Sequence, residues 1–220
     1  MISGSKIRIE RWSVDRWCRG LLAALALSLP AVSAWAFDLP ELMGLLAQQK
    51  NGEATFTEQR FVRGIEGPLA ASGTLSFTAP DKLARRTLSP RPESMVVDGN
   101  TLTLSRSGRT RTMALDSMPE LLGMVEAMRS TLSGDTATLQ RYFRSTVGGT
   151  SANWTMDLVP TDERLAAQVR TVRISGRAGE VLGVEMEFLG GDRSVMSIVP
   201  QRGGAKPAAA STPTPSRQTP

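Results

Sequence analysis

Apolar residues follow three different spacings along this chain of 220 residues. An apolar stretch that contains one polar residue, Ser28, covers residues 21–29. A helical spacing, with apolar residues three and four positions apart, occurs after Asp38 and again after Ser117. Most of the remaining chain alternates apolar and polar residues, which predicts strands with one buried side and one solvent-facing side. The pattern therefore indicates a mainly β-sheet protein with a few helices.

The helical stretches carry residues that start and stop helices. Asp38 is a suitable N-cap for the first helix, and the Asn-Gly pair at residues 51–52 ends it. Pro119 opens the middle helix and Gly134 ends it, after which Asp135 caps a third, short helix. We therefore expect one helix at the start of the folded part and a helical insertion midway.

The alternating stretches form about eleven runs separated by turn residues. The sequence Asp-Gly-Asn at residues 98–100 is a good hairpin turn, so neighbouring strands are expected to pair antiparallel. A sheet of this size must curl or close, and helices with one apolar side must pack on it. The predicted fold is α+β, mainly β: an incomplete antiparallel β-barrel with helices covering its mouth. The runs cover residues 53–62, 70–78, 82–88, 94–97, 101–105, 109–115, 145–148, 153–160, 168–175, 181–188 and 194–199.

Both ends of the chain differ from this pattern. Residues 1–20 are polar and basic, the apolar stretch follows, and Ala34-Trp35-Ala36 fits the A-x-A cleavage signature. These features predict a Sec signal peptide over residues 1–36, cleaved after Ala36, because the apolar stretch is shorter than the ~18 residues of a membrane-spanning helix. Residues 201–220 are rich in Pro, Ala, Ser and Thr and predict a disordered tail. A single domain is expected over residues 37–200.

The amino-acid composition excludes most classes of catalytic site. The chain has no histidine and one cysteine, Cys18, which excludes Ser-His-Asp and Cys-His catalytic groups and His/Cys zinc sites. No glycine-rich nucleotide loop occurs in the sequence. The net charge is +5, and residues 1–36, with five basic and two acidic residues, contribute +3 of it, which leaves no strong signal for nucleic acid. We expect a binding protein, not an enzyme, without metal or cofactor.

Methionine is concentrated on the predicted helices. Met43 lies on the first helix, and Met118, Met124 and Met128 lie in the middle insertion. A methionine side chain is flexible and polarizable, so it can fill gaps in an ordinary core or line a surface that fits varied apolar partners. Because these residues lie on the elements expected to cover the barrel mouth, a lipid pocket is the hypothesis they favour.

Four motifs follow one another in an order that resembles a known family. They are ATFTEQ at residues 54–59, ASGTLSF at 71–77, APDK at 79–82 and MVVDGNTL at 95–102. The chain resembles, as a divergent member, the LolA-like family of periplasmic outer-membrane lipoprotein carriers. The resemblance implies an incomplete barrel closed by helices, which holds the acyl chains of a lipoprotein in an apolar cavity. It also implies a monomer in the periplasm that meets an inner-membrane donor complex and an outer-membrane receptor.

Two departures from the family pattern concern the lid and the fourth motif. In the family an arginine before the proline of the third motif latches the helical lid, and this chain has Ala79 there. We therefore expect a lid that opens readily. The aromatic residue usual after the fourth motif is replaced by Thr103.

The predicted function is a periplasmic carrier that binds acyl chains and moves its cargo towards the outer membrane. Two alternatives stay open: an envelope regulatory or interaction module on the same scaffold, and a cell-envelope hydrolase. Arg85 and Arg86 could face a headgroup or a partner's acidic patch, or form a solvated strand face. The candidate cavity lining is Leu42, Leu46, Phe56, Leu75, Phe77, Val97, Leu102, Met113, Leu122, Met124, Met128, Trp154, Met156, Leu182, Val184 and Met186.

Overall fold

The computed structural model describes residues 37–201. The predicted signal peptide over residues 1–36, and the predicted tail beyond residue 201, lie outside the described residues.

Eleven antiparallel strands form one sheet, as the alternation and hairpin turns predict. The first strand pairs with the last, so the sheet runs in the order β6-β5-β4-β3-β2-β1-β11-β10-β9-β8-β7. The edge strands β6 and β7 do not pair with each other, so the barrel is incomplete. The strands are β1 (Asn51–Phe61), β2 (Leu69–Thr78), β3 (Lys82–Ser89), β4 (Glu93–Asp98), β5 (Thr101–Arg106), β6 (Arg109–Ala114), β7 (Phe143–Thr150), β8 (Asn153–Pro160), β9 (Val169–Arg177), β10 (Glu180–Phe188) and β11 (Arg193–Gln201).

Aspartates cap three of the four α-helices. The carboxylates of Asp38, Asp135 and Asp162 each accept a hydrogen bond from a backbone N–H of the first turn. Gly134 ends the middle helix with φ 74°, a left-handed conformation that favours glycine. The sequence analysis did not predict the fourth helix or the 3₁₀ turn at Leu115–Ser117. The helices are α1 (Leu39–Leu46), α2 (Pro119–Ser133), α3 (Thr136–Tyr142) and α4 (Glu163–Ala166).

All four helices pack on one side of the sheet, called here the inner face. Residues directly paired across antiparallel strands share a side, so the register identifies the inner positions of every strand. Apolar residues at these positions form two separate clusters with the helices. The first cluster lies on β7 to β10 and contacts all four helices; the second lies on β2 to β6 and contacts α2. The helix α2 is therefore the element shared by both clusters.

Candidate functional site

The two clusters contain twelve of the sixteen predicted lining residues. These residues pack against one another and against the helices, so they form two filled apolar regions of the inner face. In the first cluster are Leu42, Leu46, Met124, Trp154, Met156, Val184 and Met186. In the second are Phe77, Val97, Leu102, Met113 and Leu122.

The other four predicted lining residues lie elsewhere. Phe56 is buried and Leu75 is half-buried, and both lie on the inner face in the strip between the clusters. Met128, one turn after Met124 on α2, is 40% exposed and belongs to neither cluster. Leu182 falls at a register shift between Val181 and Gly183 and belongs to neither cluster, whereas its neighbour Val181 packs against the first cluster.

Two surface depressions lie apart from the predicted lining. One has a volume of about 360 Å³ at β1, β2 and β11, where Thr57, Ser72 and Ser197 line it. The other, of about 240 Å³, lies at the β1–β2 connection, beside Phe61 and Ile65. Neither is lined by a predicted residue. An apolar ligand on the inner face would therefore have to replace contacts that the helices make now.

Charged residues occupy the centre of the inner face, in the strip between the two clusters. The guanidinium of Arg85 donates from Nη2 to Oε2 of Glu58 at 2.5 Å and lies over the ring of Phe56, 4.6 Å from its centroid. The hydroxyl of Ser194, which is 2% exposed, donates to Oε1 of Glu58 at 2.6 Å. Both oxygens of this carboxylate therefore have a donor.

These contacts keep Glu58 ionised. Burial alone would raise the pKa of Glu58, but the hydrogen bonds from Ser194 and Arg85 and the charges of Arg85 and Arg60 lower it further than burial raises it. The net effect holds the pKa of Glu58 below its ordinary value. The strip thus presents a paired charge within an apolar face.

A second arginine attaches α2 to the sheet. Arg129 is 9% exposed, and its guanidinium donates to the backbone oxygen of Asp81 at 2.9 and 2.6 Å and to that of Gly99 at 2.6 Å. Asp81 lies in the β2–β3 turn and Gly99 in the β4–β5 turn. The same guanidinium pairs with Glu126 of its own helix at 3.0 Å. Arg129 therefore connects the middle of α2 to two hairpins.

The sequence motifs agree with a family comparison. The family described as "Outer membrane lipoprotein carrier protein LolA-like" matches residues 31–219, which is most of the chain. The chain belongs to the LolA-like family. No curated protein matches it.

The solved structures that the chain matches are distant in sequence and have low TM-scores. A LolA superfamily protein from Nitrosomonas europaea is 9% identical, with a TM-score of 0.42, over 74% of this chain and 91% of that one. The Pseudomonas aeruginosa MucA/MucB complex contains a chain that is 13% identical, with a TM-score of 0.41, over 76% of this chain. The LolA-like chain spans 59% of that chain's length.

The lid contact of this LolA-like protein differs from the one that the resemblance implies. Ala79, at the place of the latch arginine, is half-buried and packs against the second cluster. The arginine that joins helix and turns is Arg129, which lies on the helix and reaches the turn that contains Ala79. The sequence analysis missed Arg129, because the partners are backbone oxygens 48 and 30 residues away.

Sequence reasoning also left the role of Arg85 open and did not select Glu58. The alternation of inward and outward positions along a strand does indicate that both residues face inward. Glu58 is two residues from Phe56 and Arg85 is two residues from Leu83, and both apolar residues face inward. Arg86 lies on the opposite side of the sheet and is exposed. Of the two adjacent arginines, Arg85 alone belongs to the site.

Two further findings concern residues 37–201. Within this range, no group of three or more acidic, histidine or cysteine side chains is placed to hold a metal ion. In the same range, no helix has the length and apolar character needed to cross a membrane.

Proposed function

We propose that this LolA-like protein carries acylated cargo, a lipoprotein or a related lipid, across the periplasm towards the outer membrane. The position of α2 supports the proposal. Its Met124 and Ala127 pack with the first cluster, and its Leu121, Leu122 and Val125 pack with the second. One helix covers both apolar regions, so a shift of that helix would open both to an acyl chain.

The methionines of the inner face suit a surface that must repack. A flexible thioether side chain can close over a space when it is empty and line an acyl chain when it is filled. Four methionines belong to the first cluster and three to the second, out of the nine within residues 37–201. They are Met43, Met124, Met156 and Met186 in the first cluster and Met95, Met113 and Met118 in the second.

The proposed loading step exchanges one set of apolar contacts for another. Burying one methylene group of an acyl chain contributes about 0.8 kcal/mol. Several methylenes can therefore offset the contacts that α2 gives up when it moves. Because the exchange is close to balanced, the cargo can be released again at the receptor. No covalent step is required.

The proposed organisation of the chain follows the sequence features. A Sec signal peptide over residues 1–36 directs export, residues 37–200 form the binding domain, and residues 201–220 form a tail. The family description and the A-x-A signature at Ala34 to Ala36 support this assignment. The proposed protein is a monomer that receives cargo from an inner-membrane donor complex and passes it to an outer-membrane receptor.

Hydrogen exchange tests the role of α2 directly. We expect the amides of Pro119–Ser133 to exchange faster when a saturating lipidated peptide is bound, because the helix leaves the inner face. The same peptide without its acyl chain is the matched control and leaves exchange unchanged. Binding of the lipidated peptide without any change in α2 would contradict the lid role. Failure of the lipidated peptide to bind at all would contradict the carrier function.

A further inference from the structure

The half of the inner face that β1 to β6 form carries more positively than negatively charged residues. By the strand register, five arginines and two glutamates take inner positions on β1 to β6. The glutamates are paired, Glu58 with Arg85 and Glu93 with Arg106. The arginines are Arg60, Arg85, Arg106, Arg109 and Arg111.

Four side chains form one row across this half of the sheet. Arg85 pairs with Met95, Met95 with Leu104, and Leu104 with Arg111, each on the neighbouring strand. Strands are spaced about 4.8 Å apart, so the two arginine Cα atoms are roughly 14 Å from each other. Met95 and Leu104, between them, pack against the second cluster. The row therefore places a cation on each side of an apolar surface.

Arg85 and Arg111 both have N–H donors that make no hydrogen bond to a described residue. Only Nη2 of Arg85 hydrogen bonds to another residue of the described range, and its side chain is 29% exposed. Arg111 is exposed and makes no ion pair within residues 37–201. A guanidinium has five N–H donors in a planar fork that matches carboxylate and phosphate oxygens. The free donors of Arg85 lie where the strip meets the apolar clusters.

The position of Arg85 is fixed before any ligand arrives. Glu58 holds one side of the guanidinium and the ring of Phe56 supports its plane. Buried Ser194 in turn orients Glu58. A group held in this way loses little conformational freedom when it binds an anion.

We propose that Arg85 binds the anionic group, a phosphate or carboxylate, of an amphiphile whose acyl chain enters the apolar clusters. The inference rests on the proposed carrier function and adds a preference for a charged cargo headgroup. Arg85 contacts the anion, and Arg111, on the other side of Met95 and Leu104, adds positive charge that attracts the anion without contacting it.

Three ligands distinguish the contribution of the anion from that of the acyl chain, because two of them share the chain and two share the anion. They are monohexadecyl phosphate, the uncharged 1-hexadecylglycerol, and inorganic phosphate without a chain. We expect the wild-type mature protein to bind the phosphate amphiphile about tenfold more tightly than the uncharged one, which corresponds to one hydrogen-bonded charge contact. Inorganic phosphate alone is expected to bind too weakly to compete.

Variants on the two sides of the sheet give the decisive comparison. Arg85→Gln should remove most of the preference for the phosphate amphiphile and leave binding of the uncharged one unchanged, whereas Arg111→Gln should reduce the preference by a smaller factor. Arg86→Gln, on the opposite side of β3, is the matched control and keeps the preference. Glu58→Gln should raise affinity for the phosphate amphiphile, because it removes the competing anion. A merely structural ion pair would not produce that increase.

The outcomes distinguish this inference from the carrier function. Equal wild-type affinity for the two amphiphiles, or an unchanged preference in folded Arg85→Gln, would overturn the headgroup site while leaving the carrier function intact. The wild-type comparison needs no substitution, so it tests the site even if Arg85→Gln does not fold. Competition by inorganic phosphate at equal strength would show a site for a free anion and overturn the proposal. Binding of neither amphiphile would contradict the carrier function itself.

Discussion

At the residue scale, two charged side chains have specific hydrogen-bond partners. Glu58 lies between Ser194 and Arg85, and Arg129 lies among the backbone oxygens of two turns. The side chains of Glu58 and Arg129 are each 11% exposed. At this depth a charge that loses its partner is poorly compensated by water, so both residues are sensitive points of the fold.

The stability contributed by Glu58 should depend on pH. Its pKa is lower in the folded protein than the ordinary value of 4.5, so its contribution is fully present above that value and is lost as pH falls through the folded pKa. Glu58→Gln should therefore lower the free energy of unfolding at pH 7, and its difference from wild type should shrink below pH 4.5. Urea unfolding of both proteins from pH 7 to pH 3 measures this. A difference that is constant with pH would contradict the assignment.

Arg129 should hold α2 against the turns. Arg129→Met removes four hydrogen bonds from a charged donor, three of them to the turns, and should lower the free energy of unfolding by about 2 to 3 kcal/mol. It should also speed release of a bound acyl ligand, because the open position of α2 becomes more populated. Arg144→Met, at an exposed position on β7, is the control and should change neither quantity. Stopped-flow release that is equally fast in wild type and Arg129→Met would contradict the role of Arg129.

At the element scale, two methionines of α2 lie one turn apart and differ in exposure. Met124 packs against the first cluster, whereas Met128 is 40% exposed. The two residues have the same side chain in different surroundings. They therefore offer a direct comparison of a packed and an exposed position of the same helix.

Aspartate at these two positions should have unequal effects. Met124→Asp places an unpaired charge against apolar side chains and should cost about 2 to 4 kcal/mol of stability, with loss of acyl binding. Met128→Asp should change stability by about 0.5 kcal/mol or less and leave binding intact. Melting temperature and fluorescent fatty-acid binding of each variant provide the measurement. Equal loss of binding in both variants would show that the exposed Met128 also contacts the ligand.

The elements were largely predictable because their signals are local. Alternation marks the strands, and Asp-Gly or Ser-Gly turns mark the hairpins, so the prediction of eleven strands is confirmed. Leu182 falls at a register shift with the partner strand β9, and alternation along β10 alone does not reveal such a shift. The helix α4 has four residues, too few for a helical spacing to show.

The site was less predictable, because its contacts join distant parts of the chain. Glu58 and Arg85 are 27 residues apart and meet through the pairing of β1 with β2 and β2 with β3. Arg129 reaches turns that the helix crosses only in the folded protein. Sequence patterns identify the apolar side of each element, whereas these contacts follow from the register and from the placement of α2.

At the scale of the whole molecule, pairing of β1 with β11 brings the two ends of the domain together at the centre of the sheet. The edges of the sheet are then β6 and β7, which come from the middle of the chain and are joined by the segment that contains α2. The helix α2, the lid of the proposed carrier, is thus connected through the chain to both open edges. The proposal requires this helix to shift over the inner face while the eleven strands keep their pairing.

Export and cleavage should define the functional molecule. The small residues Ala34 and Ala36 meet the requirement of signal peptidase, so the mature N-terminus is expected at Phe37. Mass spectrometry of the periplasmic protein measures this terminus. Recovery of a periplasmic form that starts at Met1 would contradict the prediction.

The central claim is that the inner face holds an acylated molecule. Native mass spectrometry of the mature protein, purified from its own periplasm without detergent, tests it most directly. The account predicts a population with a discrete added mass, which collisional activation releases as a compound with at least one acyl chain. Wild-type protein should carry it, and Met124→Asp should not. Protein that is always empty, and that takes up no acyl ligand when titrated, would contradict the account.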